Sequence, residues 1–248
     1  MTTTATIDAT AVPILEIGRA WMTSPHTAAA GEALGLHGFG FWVNGRAGVL
    51  GPVDADIAAA ALGFMHPATV RAHWEGRPPE LTPAAASAAY AGAAATWGRR
   101  SLAGIEEGDL ADLVTLTRTV AEAAQPSVGA LFAGWRALSR PDDPAGEVAM
   151  LLNVLRELRG GAHLSAVQAA GLGPLGAIVS FSDPVRGGSG GAERFGWPAP
   201  HPVPSPEDRA RAEAMTTVIC QPAYDVLDAE AQRRLVELVL RVRSAVGA

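Results

Sequence analysis

The sequence predicts an all-α protein built from two tandem repeats packed as one unit, with at most a short β-wing hairpin in each. Three observations carry this. Apolar residues recur at helical spacing, as in "LDAEAQRRLVELVLRV" (227–242), which gathers leucines and valines on one side. Strand signal is weak, and "TTVICQPAYDVL" (216–227) is the main candidate for a wing. Finally, segments return at one offset of 122 residues: Leu50-Gly51-Pro52-Val53 as Leu172-Gly173-Pro174-Leu175, Leu36 and Gly38 as Leu158 and Gly160, and Leu113-Val114-Thr115-Leu116 as Leu235-Val236-Glu237-Leu238. Three matches in order argue for duplication, with halves at 12–125 and 126–248.

Each half reads alike. An opening helix leads to a Gly-Pro turn, further helices follow, and then a proline-bounded helix, an irregular stretch and a closing amphipathic helix. The last three pieces are expected at 83–97, 98–108 and 109–124 in the first half, and at 206–218, 219–227 and 228–246 in the second. "SPED" (205–208) is a strong helix start: a serine cap, proline at the first position, acids in the first turn. Residues 184–206 break the pattern with "RGGSGGAERFGWPAPHPVPSP". This stretch reads either as a mobile loop or as a lid carrying Arg186, Phe195 and Trp197 over a site.

Composition narrows the function. The chain has 248 residues, 48% of them hydrophobic, enough for a substantial core. All 19 basic residues are arginine, the net charge is −6, and no overall basic field exists to favour nucleic acid. One cysteine, Cys220, rules out an internal disulfide framework and suits a cytoplasmic setting. No signal peptide or membrane helix is expected. The chemistry of HExxH, CxxC, GxSxG and Walker motifs is absent, so we expect neither a metal site nor a cofactor. A haem with one axial histidine would leave no signature.

"LRELRGGAH" (155–163) stands out. Arg156, Arg159 and His163 lie at i, i+3 and i+7, on one face of an otherwise apolar helix. Buried charge needs partners. Glu157, Asp142 and Asp143 are candidates, which would make an internal ion-pair network joining the halves. Alternatively the arginines clamp an anion or carbonyl and His163 acts as acid or base. His66, before Pro67, either caps a helix or, through the duplication, meets Asp183 as an acid–base pair. The aromatic "GFGFWVNGR" stretch (38–46) offers Phe41, Trp42, Asn44 and Arg46, with Phe64 nearby in sequence, as pocket wall for an apolar ligand.

Two stretches carry a family resemblance: "GFGFWVNGRAGVLGPVDADIAAAALGFMHPATV" (38–70) and "RPDDPAGEVAMLLNVLRELRGGAHLSAVQAAGLGPLGAI" (140–178). Their motifs, Phe-Met-His-Pro in the first and Arg-Glu-Leu-Arg-Gly with His in the second, resemble those of an actinobacterial tandem helix-turn-helix family. The resemblance implies two helix-turn-helix or winged-helix-like repeats, and more of a fold than a function. By position, the recognition helix of the first half is "TPAAASAAYAGAAATWG" (82–98), which has no basic or amide side chain to read base edges. Its counterpart "SPEDRARAEAMTTV" (205–218) sets Arg209 and Arg211 among Glu207, Asp208 and Glu213.

The expectation is therefore a pocket between the repeats, lined by 38–46, 64–67 and 156–163. It would take a largely apolar small molecule and move a proton without a cofactor, as a cyclase, isomerase or lyase does. A ligand-responsive transcriptional regulator and a noncatalytic ligand-binding or resistance protein are the alternatives. A homodimer stays open.

Overall fold

Several helices begin where a capping side chain precedes a proline or an acidic turn. In a computed structural model, which describes residues 1–183 and 187–247, the order is α1 (Thr3–Met22), α2 (Pro25–Glu32), α3 (Phe39–Ala47), α4 (Ala55–Leu62), α5 (Pro67–Glu75), α6 (Pro83–Ser101), α7 (Glu107–Ala123), α8 (Ala130–Ala137), α9 (Pro144–Ala169), α10 (Gly173–Val179), α11 (Gly188–Arg194), α12 (Pro206–Tyr224) and α13 (Ala229–Ala245). The side chains of Thr2, Ser24, His66, Thr82, Asp143, Ser205 and Asp228 each accept a backbone N–H of the helix they open. Each such bond satisfies a donor that the first turn leaves without a partner. The described residues form no strand.

The 26-residue α9 is the axis. Helices α1, α6, α7, α8 and α12 all pack against it. Val148, Leu151, Leu155 and Leu158 are at most 1% exposed. Each contributes about 1.5–3 kcal/mol through burial, and Leu155→Ala would leave a void costing about 2–5 kcal/mol. Helix α13 closes the bundle against α1 and α7. Its Leu235, Leu238, Val239 and Val242 are buried, and its outer arginines, Arg234 and Arg241, reach Asp109 on α7. Elements of the two predicted halves are thus interlocked, with α1 packed on α9, α12 and α13. No single helix among the described residues is long and apolar enough to cross a membrane.

The predicted wing is replaced by helix. Residues 216–224 belong to α12, whose Thr216 hydroxyl donates to the Ala212 carbonyl at 2.7 Å. Thr216 and Cys220 are buried, so packing overrides the β-propensity of Thr-Thr-Val-Ile. Pro222 lies in the last turn and leaves the Val218 carbonyl without its usual i+4 N–H donor, so it interrupts the ladder only near the helix end. Helices α6 and α12, 19 residues each, run past their expected ends at 97 and 218, while α7 and α13, 17 residues each, fall within two residues of the expected 109–124 and 228–246. The Gly/Pro-rich stretch is part helix, α11, and Arg186 lies outside the described residues.

Candidate functional site

Helices α1, α3, α4, α8, α9, α10 and α12 surround a cavity of about 800 Å³, within the usual size range of small-molecule pockets. Its wall is mostly apolar, with Ile7 and Ile14 from α1, Leu131 and Phe132 from α8, and Ala177 and Ile178 from α10. Val12 and Ile57 also line it while being 54% and 52% exposed, so the cavity reaches the surface between α1 and α4. Gly161 on α9 allows the wall to close. A Cβ there would stand 2.6 Å from the Val128 carbonyl oxygen.

Set into this apolar wall are six charged side chains in two clusters. In the first, Glu157 is 2% exposed and accepts from Arg46 through both oxygens, Nε to Oε1 and Nη2 to Oε2, each at 2.8 Å. Arg156 Nη1 adds a third bond to Oε1 at 3.0 Å. Burial works against the charge of Glu157, yet the two guanidiniums hold its carboxyl below its ordinary range. The Arg46 guanidinium lies 4.3 Å over the Trp42 ring, a cation–π contact that fixes its plane. Gly18 on α1 makes room for the Arg156 stem, whose Cδ would be 2.8 Å from a Cβ at that position.

In the second cluster Glu213 on α12 accepts a hydrogen bond from Arg159 at 2.7 Å and is ion-paired with Arg209, whose Nη2 stands 2.6 Å away. Burial again opposes the charge, and Arg159 leads the groups that lower the Glu213 carboxyl overall. One turn beyond Arg159, His163 stacks on Phe64 with centroids 5.7 Å apart. Its Nδ1 is 2.9 Å from Thr216 Oγ. The Thr216 hydroxyl has one hydrogen, and that hydrogen goes to the Ala212 carbonyl. Thr216 therefore accepts, His163 carries its proton on Nδ1, and Nε2 is left as a lone-pair nitrogen. Burial lowers the imidazole to about 4, with Glu213 pulling up and Arg159 and Arg209 pushing down. At neutral pH the ring is an uncharged acceptor. A guanidinium and a neutral imidazole side by side in an apolar cavity can hold an anionic or carbonyl oxygen and accept a proton next to it.

Of the residues singled out in sequence, Trp42, Arg46, Phe64, Arg156, Glu157, Arg159 and His163 line this one cavity. Phe195 lines it too. The others lie elsewhere. Phe41 packs edge-on against Tyr90 in the core, with centroids 4.9 Å apart. Asn44, 0% exposed, ties α3 to α5 by donating to the carbonyls of Gly40 and His73. His66 caps α5 by accepting the Ala68 N–H and sets its ring against Trp197. It does not pair with Asp183, which stands 4.0 Å from Arg19. The expected acid–base pair is not formed, because the His66 ring caps α5 and packs on Trp197 while Asp183 faces Arg19. Nor do Asp142 and Asp143 serve the arginines of α9. Asp143 caps the start of that helix and pairs with Arg99, some three turns before Arg156.

Sequence reasoning missed the α1 wall and the α12 partners. Glu213 had a signal, since it stands four residues after Arg209. Thr216 had none. Cys220 and Tyr224 also line the cavity. Burial pushes the Cys220 thiol up to about 11 and the Tyr224 phenol up as well, so neither is ionised near neutrality. Among the described residues no group of His, Cys, Asp and Glu could hold a metal ion.

A family model described as a helix-turn-helix family matches residues 13–201. The chain belongs to that family. No curated protein and no solved structure matches it. The helix-turn-helix match takes in α9 with Arg156, Arg159 and His163 but ends before Arg209, Glu213 and Thr216. The two helices expected from the sequence to stand in the recognition position, α6 and α12, each bury one face in the fold. Tyr90, Ala94 and Trp97 of α6 are buried, and the Arg99 and Arg100 at its end engage Asp143 and His26. On α12, Arg209 pairs with Glu213 and Arg211 with Asp208.

Proposed function

We propose that this helix-turn-helix family member binds a largely apolar small molecule and moves a proton on it without a cofactor, as a cyclase, isomerase or lyase does. The observation that carries the reading is the cavity holding Arg159 beside a neutral His163 whose Nε2 is an acceptor. In an isomerisation, Nε2 takes a proton from the carbon next to a carbonyl. The bonding electrons move to the carbonyl oxygen, whose growing negative charge Arg159 and Arg156 stabilise. Return of the proton at another carbon closes the step. Negative charge developing beside the imidazole raises its proton affinity, offsetting the burial that lowers it.

The two halves, 12–125 and 126–248, are read as duplicates. Support comes from the equal lengths of α6 and α12 and of α7 and α13. Gly51 and Gly173, equivalent in the repeat, also share positive φ of 75° and 67°. A cytoplasmic setting and an actinobacterial secondary metabolism rest on the resemblance and on the arginine-only, alanine-rich composition. The family description keeps a second reading, a ligand-responsive transcriptional regulator. Burial of α6 and the acidic balance speak for the first.

The test is solvent isotope uptake. The protein is incubated in heavy water with small-metabolite extract of the cells that make it, and the extract is profiled by mass. We expect one or a few components to gain deuterium or convert with the wild type and not with His163→Ala. An unchanged extract would remove catalysis and leave the noncatalytic reading.

A further inference from the structure

We propose that the cavity takes an amphipathic anion: an apolar chain or ring system ending in a carboxylate, with the carboxylate at Arg159 and the apolar part running toward α1 and α8. The inference rests on the reading of this cavity as a ligand site and names the class of ligand. Four arginines and two glutamates line the cavity among the described residues, an excess of two positive charges in a chain whose net charge is −6. The residues outside the described set are Pro184, Val185, Arg186 and Ala248, and none has an acidic side chain. Arginine stays charged however deeply it is placed, and excess charge beside low-dielectric walls attracts a counter-ion strongly.

The donors support the same class. Both carboxylates already face arginines: Glu157 accepts three hydrogen bonds, and Glu213 accepts one from Arg159 and is ion-paired with Arg209. Arg159, by contrast, donates to one protein group among the described residues, from Nη2 to Glu213. Its Nε and Nη1 are left with no protein acceptor there and are not sealed from the cavity. A guanidinium edge suits the two oxygens of a carboxylate. His163 refines the orientation. With its proton on the far side, Nε2 repels a carboxylate oxygen and accepts from a hydroxyl or acidic C–H on the adjoining part of the ligand. Toward α1 and α8 the wall is mainly apolar, with Ile7, Ala11, Ile14, Leu131 and Phe132.

Calorimetric titration with three chains of equal length tests this: dodecanoate, dodecan-1-ol and dodecylamine, each below its aggregation concentration. We expect dodecanoate to bind at least about tenfold more tightly than the alcohol, about 1.4 kcal/mol, and the amine to bind weakest. Arg159→Gln should bring acid and alcohol to similar affinity, Arg159→Lys should retain part of the preference, and Ala11→Trp, placed in the apolar wall, should weaken both. Equal binding of acid and alcohol by the wild type, lost in Ala11→Trp, would overturn the anionic class while keeping the cavity as a ligand site. Wild-type preference that survives Arg159→Gln would overturn the placement of the carboxylate. Failure of all three probes to bind would overturn the inference together with the reading of the cavity as a site for apolar ligands.

Discussion

His163 on α9 and Thr216 on α12 are joined by a 2.9 Å hydrogen bond from Nδ1 to Oγ, and the threonine's own hydrogen is already committed to Ala212. That one relationship fixes which imidazole nitrogen faces outward as an acceptor. Nitrogen-15 spectra of the imidazole should show the Nδ1–H form alone in the wild type. Thr216→Val removes the acceptor and should give a mixture of tautomers, while Thr216→Ser should keep the wild-type pattern. A wild type in the Nε2–H form would remove His163 as the base.

Acid should destabilise the fold through the same residue. The His163 pKa is lowered from 6.5 to about 4 in the folded chain, so the unfolded chain binds the proton first as pH falls. The contribution is therefore complete above about pH 6.5 and is lost progressively toward pH 4. Glu213, also lowered, adds a loss at the acidic end. The melting temperature should drop across this window, and His163→Ala should flatten the part between about pH 6.5 and 5. An unchanged slope in that variant would place the acid sensitivity elsewhere.

The Arg46–Glu157–Arg156 cluster predicts a stability result. Glu157→Ala leaves Arg46, 7% exposed, without its bidentate partner. Denaturant unfolding should show a loss of about 3–5 kcal/mol, typical of one member removed from a buried pair. The double variant Arg46→Met with Glu157→Leu should recover much of that loss, because both charges then leave the interior. A loss under 1 kcal/mol in Glu157→Ala would mean that water already solvates the cluster.

No specific binding to duplex DNA is expected. Both candidate recognition helices are packed inward or have their arginines paired, and the chain is net acidic. A mobility-shift assay with the gene's own upstream region at moderate salt should show no sequence-dependent complex. Tight, sequence-dependent retardation would restore the regulator.

The helical class and the polar face of α9 were legible because both rest on local periodicity, and two helix starts were legible from Ser205-Pro206 and His66-Pro67. What could not be read was which acid meets which arginine. Glu213 lies 54 residues from Arg159, and Asp143, nearer in sequence, is drawn to its own helix N-terminus and to Arg99. The wing expectation failed because burial of Thr216 and Cys220 on the face of α12 packed against α9 outweighs the modest helix disfavour of the β-branched residues at 216–219. His66 was legible as a cap, and its pairing with Asp183 was not realised because sequence equivalence between halves does not dictate contact.

Retention of a small molecule in the cavity is the measurement that bears most directly on all of this. Wild-type protein and Ala11→Trp are each mixed with metabolite extract of the cells that make the protein, passed through a desalting column and examined by native mass spectrometry. The wild type should emerge with a discrete added mass of a few hundred daltons, on the order expected for a pocket of this size, and Ala11→Trp should emerge without it. Identical spectra for the two proteins, with no added mass in either, would contradict the assignment of the cavity as a ligand site.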